Sequence, residues 1–209
     1  MTLKRAKTIN ELLNTNFKVL DFEGDFEALI GKPEMKGSWI IWGESGNGKT
    51  SFTMQLCKYL TKFGRVAYNS LEEGASESVK QALIRFNMKE VSRRMILLDK
   101  EPIVELTERL KRRKSPDVIV IDSLQYSGMN YKQYKDLRDQ FNNKLFIFIS
   151  HADGKKPAGR VAASVKYDAF VKIRVEGHKA FSISRYGGGV PYTIWSEGAD
   201  QYWSELIHN

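Results

Sequence analysis

Cysteine, histidine and long apolar runs are scarce in this chain, and each scarcity excludes a class of protein. The 209 residues include a single cysteine, Cys57, so no disulfide can form within the chain. The three histidines are far apart and have no metal-site spacing. No apolar run reaches the roughly 18 residues that cross a bilayer, and the basic N-terminal segment lacks the apolar core of a signal peptide. We therefore expect a cytoplasmic protein with no membrane partner.

Acidic residues are the minority among the charged residues. Lysine and arginine outnumber aspartate and glutamate by 33 to 25, which gives a formal net charge of +8 at pH 7. This excess favours a polyanionic partner, and nucleic acid is the first candidate. A nucleotide site also uses positive charge, so the excess alone does not identify the partner. The length suits one large domain with a substantial core.

The most informative segment is a complete G-x-x-x-x-G-K-[ST] phosphate-binding loop, the P-loop, at Gly43–Thr50. It follows the apolar run 39–42 and precedes a helix-compatible stretch over 51–60, which is the context such a loop requires. Lys49 would reach the β- and γ-phosphates of a nucleotide, and the Thr50 hydroxyl would bind Mg²⁺. The predicted nucleotide-binding residues are Gly43, Glu44, Ser45, Gly46, Asn47, Gly48, Lys49, Thr50 and Ser51.

Carboxylates follow two further predicted strands. Asp122 ends the apolar run 117–122, where an acid can hold Mg²⁺ and its waters; a helix N-cap is the alternative. Glu72 and Glu73 follow the predicted strand 65–71, and a carboxylate there can orient an attacking water. Either glutamate could instead be a solvated residue at the start of the next helix.

Continuous apolar strands separated by helices indicate a parallel sheet covered on both faces. The predicted core strands are 39–42, 65–71, 95–98, 117–122 and 145–149. The predicted helices are 51–62, 76–86, 102–114 and 131–141. After residue 168 the apolar pattern alternates, which predicts antiparallel strands over 169–175, 180–184 and 193–195 at one edge of the sheet.

Together these motifs resemble those of the RecA-like P-loop ATPases, and within them the branch of DnaB-like helicases and RecA/RadA recombinases. The matching elements are Gly43–Thr50, Ser70-Leu71-Glu72 and Ile121-Asp122-Ser123-Leu124-Gln125. The resemblance implies an α/β fold with a RecA-like core: a mainly parallel, twisted sheet flanked by helices, with C-terminal antiparallel strands. Residues 1–30 would form a lead-in, and residues 31–209 the RecA-like ATPase domain.

The resemblance also implies ATP and Mg²⁺ as ligands, with Lys49 and Glu72, rather than Glu73, as catalytic residues. His151 falls where the family keeps a polar γ-phosphate sensor, although glutamine is commoner there and a plain strand-end histidine is the alternative. Arg185 lies in a segment resembling the hairpin that carries an arginine to the neighbouring subunit's nucleotide. Because Ile183 replaces a frequent lysine of that hairpin, a surface arginine is the alternative. If Arg185 acts in this way, the active unit is a homo-oligomer with nucleotide at its subunit interface.

The basic, glycine-rich segment 152–160 is the predicted nucleic-acid contact. In RecA-like proteins the loop at this position faces the central channel or filament axis and touches single strands. Lys155, Lys156 and Arg160 could contact phosphates there, and a solvated loop is the alternative. The loop has no aromatic residue, so the contact would be to the nucleic-acid backbone. The basic run 111–114 is interpreted as a solvated helix end and not as a second binding patch.

The sequence therefore predicts a Mg²⁺-dependent ATPase that binds DNA, in particular single-stranded DNA. By the resemblance, ATP hydrolysis would serve recombination, repair or replication, as in the compact recombination ATPases of phages and mobile elements. Two other functions stay open: a KaiC-like regulatory ATPase that acts on protein partners, and a nucleotide-dependent assembly protein with negligible turnover.

Overall fold

A mostly parallel β-sheet forms the centre of the computed structural model, which describes residues 5–207. The strands are β1 (Gly37–Gly43), β2 (Val66–Ser70), β3 (Met95–Asp99), β4 (Val118–Asp122), β5 (Leu145–Asp153), β6 (Lys156–Pro157), β7 (Val171–Glu176), β8 (Lys179–Ser184) and β9 (Tyr192–Thr193). Their order is β3-β2-β4-β5-β1-β7-β8-β9, and β6 pairs with the end of β5. The strands from β3 to β7 in that order are parallel, whereas β8 and β9 are antiparallel. The predicted α/β architecture is therefore confirmed.

Helices cover both faces of this sheet. They are α1 (Ile9–Leu13), α2 (Gly24–Ile30), α3 (Lys49–Leu60), α4 (Glu77–Arg85), α5 (Ile103–Leu110), α6 (Tyr131–Gln140), α7 (Arg160–Asp168) and α8 (Ser196–Ile207). Helices α2, α3 and α4 pack on one face, and α5, α6 and α7 pack on the other. The central strands are apolar on both faces because both are covered. No helix within residues 5–207 is long and apolar enough to cross a membrane.

The segment before the P-loop strand packs into the same core as that strand. Leu20, Phe22 and the α2 residue Leu29 are buried, and the Phe22 ring meets the Trp39 ring edge-on at 6.3 Å. Helix α1, in contrast, has no buried residue; the Thr8 side chain caps it. The predicted lead-in 1–30 begins, and the predicted domain 31–209 ends, at residues outside the described range.

Four segments differ from the predictions made from sequence. Helix α5 ends at Leu110, because the basic run that follows offers no apolar side chain to bury. The predicted loop 152–160 is instead a hairpin, in which β5 continues to Asp153 and turns at Gly154 into β6. Helices α7 and α8 were not predicted from the sequence.

The parallel register brings the carboxyl ends of four strands to one edge of the sheet. Gly43 of β1 pairs with His151 of β5, and Ser70 of β2 pairs with Asp122 of β4. Ligands of open α/β sheets bind at this edge. The P-loop and the predicted acidic residues therefore lie on the same side of the molecule.

Candidate nucleotide site

The P-loop leads from β1 directly into α3, as its sequence predicts. Gly48 immediately precedes α3 with φ 95°, a left-handed conformation that a side chain would strain. Gly43 has no room for a side chain, because an added Cβ would lie 2.2 Å from the backbone oxygen of Val175 on β7. The loop therefore presents its backbone N–H groups at the start of α3, where the helix dipole favours an anion.

Lys49 is the cation that the P-loop contributes to this site. Its Nζ donates a hydrogen bond to the backbone oxygen of Glu44 at 3.1 Å. Partial burial lowers the pKa of Lys49, and the charges of Asp122, Glu72 and Glu44 oppose that change. The lysine therefore lies among carboxylates in a partly dry environment, where its attraction for a phosphate is stronger than in water.

Asp122, at the end of β4, is the most perturbed acid among the described residues. Burial raises the pKa of its carboxyl to about 6, and the neighbouring charges of Glu72 and Glu73 add to this effect. A hydrogen bond from the Tyr68 hydroxyl and the charge of Lys49 act in the opposite direction. A carboxylate held dry beside other carboxylates is a favourable position for a cation.

Glu72 and Glu73 lie in the same cavity but have different partners. A Glu72 carboxylate oxygen lies 3.2 Å from His151 Nε2 and accepts a hydrogen bond from Ser123 Oγ at 3.2 Å. Backbone N–H groups of residues 71 and 72 donate to the Asp122 carbonyl, which joins the ends of β2 and β4. Glu73 instead accepts a hydrogen bond from Ser78 on α4. Glu72 is thus the glutamate that lies next to His151 and Asp122.

The oxygen ligands available at this site are too few to hold a metal ion without other ligands, and they fit Mg²⁺. Thr50 and Asp122 line one cavity and offer a hydroxyl and a carboxylate oxygen. Within residues 5–207, no cluster of three or more His, Cys, Asp or Glu residues could hold a metal ion by itself. Mg²⁺ is commonly bound by one or two protein oxygens together with phosphates and waters. These two residues therefore fit a Mg²⁺ ion that arrives with a nucleotide.

Part of the cavity wall is apolar, which the sequence did not indicate. The cavity volume of about 670 Å³ is large enough for a nucleotide. Beyond the P-loop, its walls are formed by Arg85, Phe86, His178, Ile194 and Trp195. The Trp195 indole packs edge-on against His178 at 5.1 Å and donates a hydrogen bond to Glu197 at 2.6 Å.

The tip of the β7–β8 hairpin holds the P-loop in place. Asn47 Oδ1 accepts a hydrogen bond from the Gly177 backbone N–H at 2.7 Å, and the Asn47 carbonyl accepts one from the His178 N–H at 3.3 Å. The partners are 130 residues apart in sequence, so no local pattern could have indicated this contact. The hairpin also places Trp195 at the cavity, since the Ile194 N–H donates to the His178 carbonyl.

The predicted residues Arg185, Lys155, Lys156 and Arg160 do not line this cavity. The Arg185 guanidinium stacks over Phe170 at 4.6 Å, and Arg185 follows the end of β8 that pairs with the start of β7. Arg185 therefore lies at the amino-terminal end of the parallel strands, whereas the P-loop of its own chain lies at their carboxyl ends. Lys155 and Lys156 are exposed at the β5–β6 hairpin, and Arg160 is exposed at the start of α7.

Comparison with solved structures agrees with this topology. The flagellar accessory protein FlaH from Methanocaldococcus jannaschii is 18% identical, with a TM-score of 0.59, over 85% of this chain and 94% of that one. A KaiC-like protein from Pyrococcus horikoshii is 16% identical, with a TM-score of 0.57, over 80% of this chain and 87% of that one. No family model matches the chain, and no curated protein matches it. The likeness, together with the strand order, shows that this chain has the RecA-like P-loop fold.

Proposed function

We propose that this chain is a Mg²⁺-dependent ATP hydrolase. The observation that carries the proposal is the convergence of Lys49, Glu72 and Asp122 at one cavity that is large enough for a nucleotide. A P-loop alone could serve binding only. A carboxylate in position to orient water, beside a lysine and a Mg²⁺-binding acid, supports hydrolysis.

The proposed reaction is in-line attack of water on the γ-phosphate of ATP. Lys49 and the P-loop N–H groups bind the phosphates and stabilise the negative charge that develops on them. Thr50 and Asp122 would hold Mg²⁺, which supplies further positive charge to the phosphate oxygens when bound. Glu72 orients the water and accepts its proton, and the contacts of Glu72 with His151 and Ser123 hold the carboxylate in place.

The apolar part of the cavity wall is the proposed site of the base. Trp195 is 52% exposed and lines the cavity, so its indole offers exposed aromatic surface on which a planar ring can stack. Phe86 and Ile194 provide the surrounding apolar surface, and His178 holds the indole from its edge.

We further propose single-stranded DNA as the partner, bound at the β5–β6 hairpin. Lys155 and Lys156 are exposed at this turn and can contact backbone phosphates. Gln125 links the hairpin to the hydrolytic site: its Nε2 donates to the Ala158 carbonyl and to Ser150 Oγ, both at 2.8 Å. Ser150 immediately precedes His151, so single-stranded DNA bound at the hairpin can influence the position of His151.

The test is the rate of ATP turnover without nucleic acid, with single strands and with duplex. Stimulation by single strands that is lost in Lys155→Gln/Lys156→Gln is the expected result. Equal turnover under all three conditions would instead favour the second candidate, a regulatory ATPase with a protein partner, which the likeness to a KaiC-like protein supports. Absence of turnover in all three would leave only a nucleotide-dependent assembly protein.

Arg185 is proposed to act on the nucleotide of a neighbouring copy, because it cannot reach the P-loop of its own chain. A mixture of Lys49→Ala and Arg185→Ala chains tests this. If Arg185 acts between copies, some interfaces in the mixture combine an intact Lys49 with an intact Arg185, and turnover exceeds the sum of the separate variants. Turnover equal to that sum would show that Arg185 has no such role.

A further inference from the structure

A cleft at the amino-terminal edge of the sheet, opposite the nucleotide cavity, is lined by cations. It opens between the segments that precede β2, β3 and β4, which are adjacent strands. Its volume is about 270 Å³, and no acidic residue lines it. We call it the basic cleft; its cations are Arg65, Arg93, Arg94, Arg109, Arg112 and Lys114.

Three of these arginines are fixed by contacts with the rest of the fold. The Arg65 guanidinium donates to the Ser115 carbonyl at 3.1 Å. Arg94 donates to the Thr61 carbonyl at 2.9 Å, just beyond the last residue of α3, where a cation is favoured by the helix dipole. Arg109 forms a two-pronged contact with Glu101, at 2.5 and 2.8 Å. The cleft is therefore a pre-organised arrangement and not a set of freely moving side chains.

The other three cations have their charges available. Within residues 5–207, Arg93, Arg112 and Lys114 form no ion pair, and all three are exposed. Arg93 precedes β3, whereas Arg112 and Lys114 precede β4. Because β2 lies between β3 and β4, these charges reach the cleft from segments that precede two non-adjacent strands. Cations contributed from separate segments match a chain of phosphates better than a single anion.

Apolar groups complete the surface. Ile96, on the edge strand β3, is 43% exposed and lines the cleft, whereas Val66 and Pro116 line it from buried positions. Proteins bind single strands through basic grooves that follow the backbone, and aromatic side chains stack on the bases. No aromatic residue among those that the structure describes lines this cleft, so a single strand would be bound there through its phosphates. A second copy of this chain is a poor occupant, because its net charge is +8.

We propose that the basic cleft binds the phosphate backbone of single-stranded nucleic acid, as a second contact on the opposite side of the sheet from the β5–β6 hairpin. The proposal rests on the nucleic-acid partner proposed above and adds a site to it. Arginine can donate two N–H groups to one phosphate at once. This geometry favours a phosphate group over a ligand whose negative charge is spread over its surface. The charges before β3 and β4 would contact successive phosphates of one strand.

The test is the salt dependence of binding to a labelled oligothymidylate, measured by fluorescence anisotropy with and without a non-hydrolysable ATP analogue. The variant is Arg93→Gln/Arg112→Gln, because neither side chain has an ion-pair partner in the part of the chain that the structure describes. The matched control, Lys132→Gln/Lys135→Gln, removes the same charge from the exposed surface of α6. Thermal unfolding of each variant shows whether the fold is kept.

The cleft variant is expected to bind several-fold more weakly. Its slope of log K against log salt should be smaller by about 1.4, since each lost phosphate contact on a single strand contributes about 0.7. The control variant should keep both the affinity and the slope of the unmodified chain. Arg93→Lys/Arg112→Lys, which keeps the charges, should recover most of the slope.

An unchanged slope in the cleft variant, or an equal loss in the control, would overturn the assignment. If only Lys155→Gln/Lys156→Gln loses binding, the hairpin is the nucleic-acid site and the cleft is not. Binding is measured separately from ATP turnover, so a chain that fails to hydrolyse ATP can still bind through the cleft. Failure of the cleft proposal can therefore be distinguished from failure of the proposed ATP hydrolysis.

Discussion

Replacing Asp122 with asparagine should stabilise the nucleotide-free chain while removing its activity. Burial and the nearby charges of Glu72 and Glu73 raise the pKa of this carboxyl from 3.8 to about 6. A difference of this size corresponds to about 3 kcal/mol of destabilisation when the group is charged. Because the raised pKa belongs to the folded state, this destabilisation is complete above about pH 6 and is lost as the pH falls towards the ordinary value.

Urea unfolding with EDTA and without nucleotide measures this effect. Asparagine can still accept the Tyr68 hydrogen bond but buries an amide, so we expect a gain of about 1–3 kcal/mol in the free energy of unfolding near pH 7.5. Near pH 4.5 the gain should be about 2 kcal/mol smaller than near pH 7.5, since wild-type Asp122 is then largely protonated whereas the cost of the buried amide is unchanged. Asp136→Asn, at an exposed position on α6, is the matched control. A loss of stability near pH 7.5, or an equal gain at both pH values, would refute the reasoning.

Three further predictions concern this cavity and the P-loop. Glu72→Gln should lower kcat by roughly 10²–10³ with nucleotide affinity kept, whereas Glu73→Gln should change kcat only a few-fold; a larger effect at Glu73 would reverse the assignment. Trp195→Ala should weaken the binding of a fluorescent ATP analogue roughly tenfold, or about 1.4 kcal/mol, with little change in kcat. Unchanged binding would show that the base does not bind at this wall. Gly43→Ala should lower the free energy of unfolding by about 2–3 kcal/mol, because its Cβ would meet the backbone of β7, whereas Ser45→Ala should be close to neutral in urea unfolding.

The parts of the fold and site that the sequence predicts are those specified by local patterns. Continuous apolar strands indicated the parallel sheet, and parallel strands bring their carboxyl ends to one edge. Residues that follow different strands, such as Lys49, Glu72 and Asp122, therefore lie together even though they are far apart in the chain. The strand assignments and the P-loop motif were sufficient to predict that these residues lie close together.

The parts that the sequence does not predict depend on contacts between distant segments. Trp195 reaches the cavity through the hairpin tip that holds Asn47, and no local pattern encodes that contact. The sequence indicates that the basic run 111–114 is a solvated helix end. In the structure α5 ends at Leu110, and Arg112 and Lys114 line the same cleft as Arg65 and Arg93, which precede β2 and β3. A charge cluster of this kind is visible only when the strand order is known.

The measurement that most directly tests the central claim is phosphate release from ATP by the unmodified chain and by Lys49→Ala, each with Mg²⁺ and with EDTA. The unmodified chain should release phosphate only with Mg²⁺. Lys49→Ala should lose at least about 10²-fold in rate, because Lys49 is the cation proposed to stabilise the transferred phosphoryl group. Circular dichroism of the two proteins should coincide, since the Lys49 side chain hydrogen-bonds only to the Glu44 carbonyl among the residues from 5 to 207. Undiminished turnover in Lys49→Ala would contradict the assignment of this cavity as a hydrolytic site.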